Sequence, residues 1–129
     1  MTDRYAIQLD ALRRGTLEPA GFSHLDHVGV AVEALRRHSY FEALAVIADG
    51  LKDVATRAGK PEKFHATLTL ASMCLIAERL AANPTVDIAA FVEGSRAWLT
   101  PAALEALYPD GALATPLART VGLLPRVTG

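Results

Sequence analysis

The stretch from Ser39 to Gly59 decides the fold class, and its sequence is SYFEALAVIADGLKDVATRAG. Ser39 followed three residues later by Glu42 forms the capping box that marks a helix start. Gly59 is typical of a helix end. Between them the apolar residues recur at three- and four-residue spacing: Phe41, Leu44, Ile47, Leu51 and Val54. This spacing predicts a long amphipathic helix with one face on a core.

Similar signals divide the rest of the chain. The predicted helices cover residues 3–14, 23–38, 39–59, 61–83 and 87–98, with two short helices over 101–108 and 116–121. Ser23 is the expected N-cap of the second helix, and Pro61 the first-turn proline of the fourth. Alternation of apolar and polar residues is nowhere long enough to propose a sheet. The sequence therefore predicts an all-α, up-and-down helical bundle of five to six helices.

The length of 129 residues suits one domain. We expect a peripheral N-terminal helix and loop over 1–21, core helices over 22–99, and short C-terminal helices with an irregular tail over 100–129. Basic and acidic residues number 13 and 14 and are dispersed along the chain, which argues against nucleic-acid binding. No apolar run approaches the roughly 20 residues that span a bilayer, so no membrane association is expected.

The start of the chain lacks the basic segment and apolar core of a secretory signal. Cys74 is the single cysteine and sits in an apolar helical run, where a small buried side chain is its simplest role. A reducing compartment suits such a thiol. We therefore expect a cytoplasmic protein.

Three histidines are the strongest candidates for a site. His24 and His27 share one side of the second predicted helix, and His65 lies near the start of the fourth. If those two helices are neighbours, the three imidazoles can converge and bind zinc, copper or iron. Asp26 or Glu42 could add an oxygen ligand or orient a ring.

A second hypothesis needs no metal. His27 or His65 would move a proton, with Asp26 assisting, because a histidine is a natural acid or base near neutral pH. Lys63 would hold an anionic substrate. The remaining substrate-binding candidates are Thr67, Thr69 and Glu42. The plain alternative is that Asp26 favours the positive end of its helix while Lys63 and His65 are ordinary solvated residues.

Two motifs add a resemblance to these hypotheses. The first is Phe22-x-His24-x-Asp26-His27, and the second is Lys63-Phe64-His65-x-Thr67-Leu68-Thr69. In these motifs the chain resembles a small bacterial all-helical family of uncharacterised function, over roughly residues 22–125. The resemblance implies that the two motifs belong to one site. It implies no particular activity or cofactor.

Together these features predict a small enzyme that acts on a small anionic or carbonyl-containing molecule. Its pocket would lie between helices two and four, lined by His24, His27, Lys63, His65 and Thr69. The alternative is a non-catalytic interaction or ligand-binding protein that forms a homodimer. Alanine-rich helix faces would permit the close approach of two copies: Ala31, Ala34, Ala43, Ala71, Ala89 and Ala90.

Overall fold

The computed structural model describes residues 4–126, which form α-helices and no strand. The helices are α1 (Arg4–Arg14), α2 (His24–Arg37), α3 (Tyr40–Arg57), α4 (Ala66–Ala82), α5 (Ile88–Trp98), α6 (Pro101–Glu105) and α7 (Pro116–Thr120). Short 3-10 turns cover Pro61–Lys63 and Ala112–Ala114. The all-helical prediction is confirmed, although the described residues form seven helices and the prediction was five to six. Helices α1 to α5 correspond to the five long predicted helices, and α6 and α7 to the two short ones. The two short C-terminal helices end earlier than predicted, and residue 3, the predicted first residue of α1, lies outside the described range.

The helix starts that follow Ser and Thr signals are formed as the sequence predicts. The Ser39 hydroxyl accepts a hydrogen bond from the Glu42 amide, and the Glu42 carboxylate accepts one from the Ser39 amide. Ser23 and Asp26 make the same reciprocal pair at the start of α2. Thr100 and Thr115, each followed by proline, cap α6 and α7. Local sequence is sufficient here because each cap satisfies amides within one turn.

The start of α4 differs from the prediction. Pro61 begins a 3-10 turn, and the backbone then becomes extended at Phe64 and His65, so that α4 starts only at Ala66. His65 is therefore the N-cap of α4 and not a residue of its first turn. Its ring Nδ1 accepts the hydrogen bond from the Leu68 amide at 3.1 Å. The proline signal was misleading because an imidazole here performs the capping that Ser, Thr, Asp or Asn usually performs.

Helix α2 lies at the centre of the structure, in contact with α1, α3, α4 and α5. It is buried over more of its circumference than a single apolar stripe would require, at Asp26, Val28, Gly29, Val30, Ala31, Val32 and Ala34. Gly29 lets α1 approach closely, because a Cβ at this position would overlap the Tyr5 ring. The spacing of apolar residues in the sequence indicates only one buried face of a helix. A helix with four neighbours also buries the small residues that lie between the large apolar ones.

The alanine faces are used mainly within the chain. Ala31, Ala34, Ala43 and Ala71 are buried in its own core, while Ala89 and Ala90 are exposed. The four buried alanines thus allow close approach between helices of one chain and offer no surface to a second copy. The homodimer itself stays a prediction.

Phe41 was predicted to face the core but is 79% exposed. At 3.6 residues per turn it lies about 100° around α3 from the centre of the other predicted stripe residues. Its ring packs edge-on against Tyr40, with the ring centroids 5.3 Å apart. Tyr40 points inward, and its hydroxyl lies 3.1 Å from the half-buried Cys74 thiol.

Among residues 4–126, no helix combines the length and apolar character that a membrane span requires.

Candidate ligand-binding cleft

A cleft of about 630 Å³ lies between the start of α2, the C-terminal half of α3, and α4. Its walls are mostly aliphatic, and its polar lining residues are His24, His27, Lys60, Lys63, His65, Thr69 and Ser72. No aspartate or glutamate of the described residues lines it. The two sequence motifs thus contribute side chains to the same cleft.

His27 lies one turn into α2, and its ring lines the cleft beside the ring of Phe22, with 4.5 Å between centroids. Burial lowers the pKa of His27 to about 4; the nearby His24 adds to this effect, and Asp26 opposes it. Hydrogen bonds do not contribute to the shift. At neutral pH the cleft therefore contains an uncharged imidazole that can accept or donate a hydrogen bond to a ligand.

His24 is the first residue of α2 and is exposed at the edge of the cleft. Its ring centroid lies 6.3 Å from that of His27. A cation at His24 would disfavour a second one at His27, which fits the lowered pKa of His27.

His65 is buried, and both ring nitrogens already have partners. Nδ1 accepts from the Leu68 amide, so Nε2 carries the proton and donates it to the Leu113 carbonyl at 2.8 Å. The residue also lines the cleft. The ring therefore joins α4, the cleft and the segment before α7, and it has no free nitrogen for a metal or a substrate proton.

His65→Ala should lower the free energy of unfolding by roughly 2 kcal/mol, because it removes a helix cap and the partner of a carbonyl. His65→Asn should lose about half as much, since asparagine is a good N-cap but is too short to reach Leu113. Urea unfolding of both variants would measure the difference, with the exposed His24→Ala as control. Full stability of His65→Ala together with lost ligand binding would contradict this structural role.

The three-histidine metal site predicted from the sequence is not formed. Within residues 4–126, no group of three or more histidine, cysteine, aspartate or glutamate side chains is arranged to hold a metal ion. The reason is local: His65 caps a helix with one nitrogen and binds a carbonyl with the other, so only His24 and His27 retain uncommitted rings.

Lys60 and Lys63 stand exposed on the loop and turn before α4, at the edge of the cleft. Neither is in an ion pair with another residue of the described part of the chain. The nearby Phe64 lines the cleft, with the Lys52 ammonium 5.8 Å from its ring centroid. Sequence reasoning missed Lys60 and Ser72, since nothing in their spacing shows that they line the same cleft.

Asp26 is buried but lies outside the cleft lining. Its carboxylate receives hydrogen bonds from the Ser23 amide at 3.0 Å and from the Arg4 guanidinium at 2.9 and 3.0 Å. Burial alone would raise the pKa of Asp26, but the hydrogen bonds from Ser23, Arg4 and Gln8 outweigh burial and hold it below its usual value. The carboxylate thus serves the start of α2 and its contact with α1.

Thr67 and Glu42 also lie outside the cleft lining. Thr67 is fully buried, and its hydroxyl contacts the backbone of the C-terminal segment. Glu42 is exposed at the start of α3, where hydrogen bonds from Ser39 lower its pKa. Thr69 lines the cleft, although its hydroxyl donates to the His65 carbonyl at 2.8 Å.

The cleft is thus apolar inside and basic at the edge, and it contains the neutral imidazole of His27. In comparisons with protein-family models, with curated proteins and with solved structures, no match to the chain was found.

Proposed function

We propose that the protein binds a small anionic or carbonyl-bearing molecule in this cleft. The observation that carries the proposal is the composition of the lining, which combines an aliphatic interior and a neutral His27 with two lysines and no carboxylate. A volume of about 630 Å³ is within the usual range for small-molecule sites. Lysine ammonium groups that form no ion pair within the described residues are suited to hold the charge of a bound anion.

Acid–base catalysis by His27 is the second candidate. Its lowered pKa leaves the ring unprotonated at neutral pH, so it can accept a proton from a bound substrate. Against this, the adjacent carboxylate of Asp26 hydrogen-bonds to Arg4 and Ser23 and does not orient the ring. A catalytic histidine usually has such an orienting partner. Ligand binding is therefore the proposed function, and catalysis would be an addition to it.

A screen of small carboxylates, phosphates and carbonyl compounds, followed by protein NMR, tests the proposal. Ligands should shift the ring signals of His27 and the amide signals of Thr69 and Ser72, while His38, outside the cleft, serves as internal control. His27→Gln should weaken the affinity of the best ligand by about tenfold, the effect of one hydrogen bond in a partly dry site. Ligands that shift only residues outside the cleft would contradict the proposal.

A further inference from the structure

The two ends of the cleft differ in polarity, and from this we infer that its ligand is a monocarboxylate with a linear aliphatic chain. The carboxylate would lie at Lys60 and Lys63, and the chain would extend inward along α4. This inference rests on the proposed function and specifies the class of ligand.

The polar groups lie at one end of the bundle. Helices α2 and α3 pack together through a connection of two residues, His38 and Ser39, and therefore run in opposite directions. The start of α2 and the end of α3 thus share one end. The polypeptide then continues from α3 to α4 through residues 58–65, which places the start of α4 at that end as well. Consequently, the polar lining residues at this end form one mouth of the cleft: His24, His27, Lys60, Lys63 and His65.

The cleft becomes apolar away from this mouth. On α4 its lining runs from His65 to Ile76, about 16 Å at the rise of an α-helix. Away from the mouth the lining is predominantly aliphatic, with Val28 and Ala31 from α2, Ile47 and Leu51 from α3, and Ile76 from α4. Ser72 and Thr69 interrupt the α4 wall, and the Thr69 hydroxyl is already bonded within the helix. A groove of this length suits an extended chain better than a compact polar molecule.

The charge at the mouth suits a single carboxylate. Among the described residues two lysines line this mouth, with no arginine and no acidic group. One first-turn amide at each of the two helix starts is already occupied, since Ser23 accepts from the Asp26 amide and His65 from the Leu68 amide. A phosphate or nucleotide normally uses such amides or arginine forks. Two flexible ammonium groups are adequate for one carboxylate.

Isothermal titration of the full chain with acetate, octanoate, decanoate and dodecanoate, and with decanol and inorganic phosphate, tests the inference. Affinity should rise several-fold with each added pair of methylene groups until the cleft is filled. Decanoate should bind at least tenfold more tightly than decanol. The double variant Lys60→Gln/Lys63→Gln should remove that difference and leave decanol binding unchanged. Arg13→Gln/Arg14→Gln, which removes the same charge from exposed positions outside this cleft, is the matched control.

Ser72→Leu tests where the aliphatic chain of the ligand lies. A larger side chain on the α4 wall should weaken the binding of dodecanoate more than the binding of acetate. Circular dichroism and thermal unfolding would confirm that each variant is folded. Equal affinity for decanol and decanoate, or no effect of the lysine variants, would overturn the inference that the ligand carries a carboxylate bound by the lysines. Cleft binding of acetate or phosphate with no gain from chain length would overturn the aliphatic chain but leave the proposed function intact. Failure of every compound class to shift cleft signals would overturn both.

Discussion

Thr67→Val is expected to lower the free energy of unfolding by about 3 kcal/mol, since each buried polar group left unpaired costs about 1–3 kcal/mol. The Thr67 hydroxyl is buried between α4 and the C-terminal segment. Its oxygen lies 2.7 Å from the Ala118 carbonyl and 2.9 Å from the Val121 carbonyl, which share its proton, and it accepts from the Leu123 amide at 3.0 Å. Valine fills nearly the same space but can form none of these bonds.

Urea unfolding of Thr67→Val measures this effect, with Thr56→Val as control because Thr56 is exposed on α3. Since Thr67 does not line the cleft, the folded variant should keep its affinity for any cleft ligand. Loss of affinity with unchanged stability would instead support the substrate-binding role predicted from the sequence. Stability and binding thus separate the two roles of one hydroxyl.

Acid should destabilise the protein through His27 by up to about 3 kcal/mol, the free-energy equivalent of a pKa that falls from 6.5 to about 4 on folding. Because the folded pKa is the lower one, the unfolded chain binds more protons between these pH values. Stability from this group is therefore complete above pH 6.5, declines as the pH falls, and is lost at about pH 4. The physical cause is burial, because a charged imidazole at this position would lack the hydration that it has in the unfolded chain.

His27→Gln should flatten the pH dependence of unfolding between pH 6.5 and 4, because glutamine does not titrate. Urea unfolding at several pH values would show this, and His38→Gln is the control outside the cleft. Asp26, whose pKa is also lowered, should act only at still lower pH, as its carboxylate begins to accept a proton. An unchanged slope in His27→Gln would mean that the ring is hydrated and titrates normally.

The candidate site shows what could and could not be read from residue spacing. His24 and His27 are close because a helix places residues three apart on one side, which is a local rule. That His65 lines the same cleft depends on the packing of α4 against α2, which the sequence suggested only as a condition. Its hydrogen bond to Leu113 joins residues 48 positions apart, and no local pattern contains that information.

The sequence by itself determined the all-helical class, the ends of α2 and α3, and the caps of the short C-terminal helices. These features follow from backbone hydrogen bonds and caps that are satisfied within a turn or two. Only the tertiary structure decided that α4 begins after His65, that Asp26 and Thr67 serve structural contacts, and that the lysines and His27 share a cleft without a carboxylate. Those outcomes depend on contacts between residues far apart in the sequence, because most buried polar groups are hydrogen-bonded to whichever partner the tertiary structure brings near them.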